Sequence, residues 1–379
     1  MEWIRLGCEP QTRMAIIRMG RKSRETSERI SAQSRALLLG VSLPALLAQS
    51  ALVCNTGTLT GFGWALLASL AGCLFTTLIN WSALIQTFIP EQTTWKRALL
   101  AGAFLAAAMF VQGLALQTPG WTPLCSLSIA FIPWGRLMWR AVLLSEPFHD
   151  ARVRLSAMIL SVAAVVFLYP DLGTVFSQSQ VSIAPAQSWP IFSQLSQPLP
   201  RSLSFIAALL FAAASSLQTA QQRSISSLTF WAIPAAVAAI ILSCSGWIAL
   251  QIFPAHTPVI GLLQNLPTHR LAATSPAFLF GIVMLALRPQ IHVKNSLRIG
   301  RELNIWWQLL GLGIGCALSL VLLDSVQVEI SDVVLFVLLS LGQFIGLRLQ
   351  QNLVKFAPLL TAVPNPFRDK PQISNPQNS

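Results

Sequence analysis

Apolar runs of about twenty residues recur along this chain, and no other feature restricts its fold so tightly. FGWALLASLAGCLFTTLINWSALIQTF, residues 62–88, is one of them and contains no Asp, Glu, Lys or Arg. A helix rises 1.5 Å per residue, so about twenty residues cover the ~30 Å hydrocarbon core of a bilayer. Backbone polar groups inside a bilayer need internal partners, which a helix supplies along its own length. A membrane barrel would instead show segments of about ten residues alternating apolar and polar. The runs are continuous, so the expected class is all-α integral membrane protein. Composition agrees, with 54% hydrophobic residues, 10% charged and a mean hydropathy of +0.63. A soluble domain carries about 25% charged residues.

Apolar windows and their punctuation predict ten transmembrane helices, near 36–54, 62–88, 98–116, 122–144, 154–170, 202–220, 228–252, 271–288, 304–323 and 332–350. With the N-terminus inside, every Lys and Arg falls on the inner side except Arg201, Arg270, Arg136 and Arg140. That asymmetry is what the positive-inside rule requires, and it places both termini in the cytoplasm. The net charge of +12 is then cytoplasmic-loop charge facing a lipid bilayer, and nucleic acid is not the implied partner. The expected organisation is a basic cytoplasmic tail (1–35), a first five-helix repeat (36–170) and an external linker (171–201), then a second five-helix repeat (202–350) and a cytoplasmic tail (351–379). The linker is rich in Ser, Gln and Pro, a composition that buries little. A bacterial inner membrane is the expected location.

Cys8, Cys54, Cys73, Cys125, Cys244 and Cys316 are scattered, with no CxxC pair, and read as packing residues. The four histidines fall in separate predicted loops, so neither a metal nor a cofactor is implied. AVLLSEPFHDARVRLSAMILSVAAVVFL (141–168) aligns without a gap on LVLLDSVQVEISDVVLFVLLSLGQFIGL (320–347). Five helices per half is an odd number, so two such halves would be inverted in the membrane, a plan that recurs in secondary transporters. GLGIG (311–315) holds a GxxxG spacing suited to close helix approach.

The run LCSLSIAFIPWGRLMWRAVLLSEPFHDARVRLSAMILSVAAVVFLYPDLG resembles the end of the first repeat of the drug/metabolite (EamA-like) transporters. Pro133 matches the central proline of the fourth helix and Glu146 the acidic residue at its cytoplasmic end. The chain departs from that pattern in the longer link RPQIHVKNSLRIGRE and in lacking a second-repeat counterpart of Pro133. The resemblance implies a small-metabolite permease, an exporter or exchanger, whose cavity is lined partly by the fourth helix.

Arg136 and Arg140 sit four residues apart on one helix face. An arginine at the centre of a membrane helix costs roughly 2.5–3.5 kcal/mol on insertion scales, so both must face the bundle or water. Arg140 lies about 9 Å from the predicted inner boundary and can reach the headgroups. Arg136 lies about 15 Å in. Either it binds an anionic group of a substrate through its guanidinium fork, or it bonds carbonyls freed near Pro133 and Gly135. Trp139 stands beside it as a stacking surface, and Gln112 is a further candidate contact. Among Gln112, Gln218, Asn80 and Gln308, hydrogen bonding between helices is the commoner role.

The expected function is therefore alternating-access transport of a small metabolite, an organic anion or amino acid, and no catalysis. With no acid at mid-span, export or exchange fits better than carboxylate-driven proton symport. A polytopic enzyme acting on lipid-linked substrates would want clustered carboxylates for Mg²⁺, and Asp324, Glu329 and Asp332 lack such a pattern. A non-transporting membrane subunit is the third alternative.

Overall fold

The computed structural model describes residues 10–57, 59–79, 92–143, 151–169, 198–221, 229–252, 268–291, 295, 301–322 and 332–345. Side chains are described over a subset of these. The described residues are helical apart from short turns. In chain order the elements are α1 (Pro10–Asn55), α2 (Gly61–Ile79) and α3 (Gln92–Gln117). A 3₁₀ segment, Pro123–Phe131, then runs directly into α4 (Ile132–Leu143). After these come α5 (Ala151–Leu168), α6 (Pro198–Gln221) and α7 (Thr229–Ile252). The next helix, α8, begins as Thr268–Gly281, passes through a π segment at Ile282–Leu287 and continues to 291. The last two are α9 (Arg301–Leu322) and α10 (Asp332–Ile345).

Six of these helices are long and apolar enough to cross a membrane, and three shorter apolar ones lie at Val153–Leu168, Pro234–Ser245 and Asp332–Ile345. Their outward faces carry Leu38, Leu74, Leu78, Met158, Ile240 and Val321, all exposed. A helix on a water-soluble protein turns polar residues outward. These turn apolar residues both ways, so lipid is the surrounding medium. Helix α1 starts about 26 residues before the predicted span, because the basic segment ahead of residue 36 continues the same helix. The predicted second span extends to 88, and its last residues lie outside the described ones. So do Glu146, most of the linker and the C-terminal tail.

Hydrophobic attraction is weak between helices already in lipid, and close backbone packing takes its place. The most extensive helix pair, α1 with α9, shows how. A Cβ on Gly40 would fall 2.9 Å from the Gly311 Cα, and one on Gly315 would fall 2.6 Å from the Val41 carbonyl oxygen. GLGIG thus brings α9 against α1, the close approach its spacing predicted. Elsewhere α3 packs on α6 and α7, α2 on α3, α7 and α8, and α4 on α6. Ser156 on α5 donates to the Gly342 carbonyl of α10 at 2.6 Å.

Prolines set the two irregular stretches. Pro133 has no N–H, and the Ile129 carbonyl accepts from Ile132 instead, in 3₁₀ register. In α8 the Arg288 N–H, directly before Pro289, reaches back five residues to the Val283 carbonyl. Phe131 anchors the first stretch in an aromatic cluster with Phe167, Phe205 and Trp134, its ring 5.2 Å from Phe205 and 5.7 Å from Phe167.

Candidate functional site

In the 3₁₀ register the natural partner of the Ala130 carbonyl is residue 133, a proline. That carbonyl is satisfied from another helix: Gln343 of α10 donates its Nε2 to Ala130 O at 2.9 Å. Only the amide nitrogen can donate to a carbonyl, so the Gln343 Oε1 points the other way. It is buried and has no hydrogen-bond partner in the structure. Gln343 is 6% exposed, which makes an unsatisfied oxygen there costly.

Gln343 lines a cavity bounded by Gly40 and Leu43 of α1, Ala130 and Pro133 at the start of α4, and Gln308 and Leu312 of α9. Arg288 completes it. The π register adds a residue to the turn before Arg288 and so changes the face on which its side chain emerges. Its Nη1 donates to Met284 Sδ at 3.3 Å, a weak acceptor for a guanidinium. The interior holds about 30 Å³, room for roughly two waters.

A chain of amides runs on from Gln308. Gln308 Nε2 lies 3.4 Å from Asn304 Oδ1, and Asn295 Nδ2 reaches the same oxygen at 3.3 Å and Ala32 O of α1 at 2.9 Å. Asn295 is fully buried. Both it and Arg288 come from the link RPQIHVKNSLRIGRE, which the sequence presents as a cytoplasmic loop. Arg288 lies within the helical span Thr274–Ile291, and this corrects its loop assignment. The physical reason is that α8 continues through Pro289, its turn loosened to π register.

The residues singled out from sequence lie nearby but do not converge on this cavity. Arg136 is half-buried and engaged with neighbouring groups. It follows Pro133 by one turn, on the stripe that leads away from the cavity wall. The Arg140 side chain lies outside the described ones. Trp139 donates its Nε1 to the Leu209 carbonyl of α6 at 2.9 Å and packs 5.8 Å from the Phe104 ring. Gln112 is buried on α3. Gln308, set down as a helix-to-helix bond former, bonds within α9 and lines the cavity.

Arg288 gives no signal in the sequence, because a charge before a proline reads as the end of a span. Gln343 gives none either, because one amide in an apolar run has no local signature. Asp332 reads in sequence as a loop acid. The structure buries Asp332 and pairs it with Arg201, Nη2 to Oδ1 at 3.2 Å, joining the starts of α10 and α6. The Arg201 guanidinium also lies 5.9 Å from the Phe167 ring centre. The described cysteines are all unpaired, with Cys54, Cys125 and Cys316 buried.

No family model matches the chain, and no curated protein matches it. A solved structure described as "Crystal structure of protein" is similar over 84% of this chain and 98% of its own, at 16% identity and a TM-score of 0.48.

Proposed function

We propose that the chain is a secondary transporter that moves a small anionic or zwitterionic metabolite by alternating access. The observation that carries this reading is the cavity lined by α1, the start of α4 and the last three helices, with three polar side chains on its wall. An arginine and two amides lining a space inside an apolar bundle need a use, because each is costly to keep there.

The arrangement of helices supports two inverted five-helix halves in a ten-span protein. If each helix is exchanged with the one five places on, α1–α9 becomes α6–α4 and α2–α8 becomes α7–α3, and all four pairs are in contact. Likewise α3–α6 becomes α8–α1, while α2–α7 maps onto itself. In this reading the seam between halves is the path, as in transporters built from inverted repeats. It accords with the resemblance to EamA-like permeases carried by Pro133, which borders the cavity. Arg136 and Arg140 extend the same stripe of α4 and are assigned to the substrate's negative charge along the path. Trp139 and Gln112 are assigned to its walls. A cell membrane of bacterial type, with both termini cytoplasmic, completes the proposal.

Uptake into proteoliposomes from labelled amino acids, carboxylates, nucleotides and cationic dyes tests it, with Arg136→Gln alongside. Wild-type protein is expected to take up anionic or zwitterionic compounds, and the variant to do so about tenfold more slowly, the loss of one charge-assisted contact. Absence of uptake under every imposed gradient would overturn the reading.

A further inference from the structure

The geometry points to the Arg288–Gln343 cavity as the site that holds the ligand's head group, and to a small carboxylate that also carries a hydrogen-bond donor, an amino or hydroxy acid. This assignment rests on the transporter reading for its role in the cell.

Two residues that line one space define the ligand. Arg288 offers a guanidinium whose recorded bond goes only to a thioether sulfur, and a carboxylate matches its fork far better. Gln343 offers an acceptor, because its Nε2 is committed to Ala130 O and its buried Oε1 has no partner. A bare anion satisfies the first and leaves the second unmet. An amine satisfies the second and is repelled by the first. A carboxylate with an amino or hydroxyl group on the adjacent carbon answers both.

Size narrows the class further. The interior is small, about 30 Å³, so only the polar end of a ligand can enter it. The remainder of a larger ligand must lie outside it. The site therefore selects strictly for the head group and loosely for the side chain.

Equilibrium binding of labelled glycine to the full-length protein in lipid nanodiscs tests the site without any gradient. Glycolate is expected to compete comparably, acetate about tenfold more weakly, and methylamine not at all. Arg288→Gln is expected to weaken glycine binding about tenfold or more. Gln343→Met is expected to bring glycine and glycolate down to the level of acetate. Monodispersity and thermal unfolding establish that each variant is folded, and Arg288→Lys, expected to bind between wild type and Arg288→Gln, serves if that variant is not. No saturable glycine or glycolate binding to folded wild-type protein would overturn the assignment, as would binding indifferent to Arg288 or acetate equal to glycine. Binding as expected with no uptake would leave this site standing and overturn the transporter reading. Uptake that survives Arg288→Gln would do the reverse.

Discussion

Asp332 shows how a single side chain changes meaning between sequence and structure. In sequence it belongs to an acidic stretch beside Asp324 and Glu329. In the fold it is 4% exposed and bonded to Arg201 across two helices. Desolvation makes such a pair weak evidence of net stability, but removing one partner strands the other charge. Asp332→Asn is therefore expected to lower unfolding stability in detergent by about 3 kcal/mol. Replacing both partners, Arg201→Met with Asp332→Leu, should recover most of that loss, because apolar isosteres carry no desolvation penalty. Thermal unfolding of the three variants measures it. Nothing in the residue order announced this pairing, since 131 positions separate the two. Gln343 and Ala130 make the same point at a separation of 213.

Among elements, α1 and α9 were the most readable. The GxxxG spacing in GLGIG predicted close approach, and Gly311 and Gly315 lie against the α1 backbone. Gly311→Leu is expected to push the two helices apart and cost about 3 kcal/mol, at the upper end of overpacking penalties. Ser161→Leu on the exposed face of α5 should leave stability unchanged. Comparing their melting temperatures in the same detergent decides the matter. The irregular elements were less readable. Pro133 signals an interruption, but whether the chain answers with a kink, a 3₁₀ stretch or a bulge depends on what packs around it. In this fold Phe131 sits in an aromatic cluster and Gln343 takes the freed carbonyl, so the 3₁₀ register is satisfied. Arg288 is a parallel case, because the π turn carries the helix past a residue that looked like its end.

At the scale of the whole molecule, the proposed topology makes a direct prediction. A fluorescent protein that matures only in the cytoplasm, fused after Ser379, is expected to fluoresce in bacterial cells, and a dark fusion of normal abundance would overturn the placement of that end. Membrane character and helical class were written in the sequence, because unbroken apolar runs of span length have no other stable form in water or lipid. So were the approximate helix centres and the close packing of α9. Which polar residues meet in the interior was not. Arg136 drew attention by its depth along one helix, yet the cavity is made by Arg288, Gln308 and Gln343 from three helices late in the chain, facing Gly40 and Pro133 from early in it. Hydropathy is a property of neighbours along the chain and survives any rearrangement of helices. A binding cavity is a property of faces turned toward each other, and only the packing of the helices decides which faces those are.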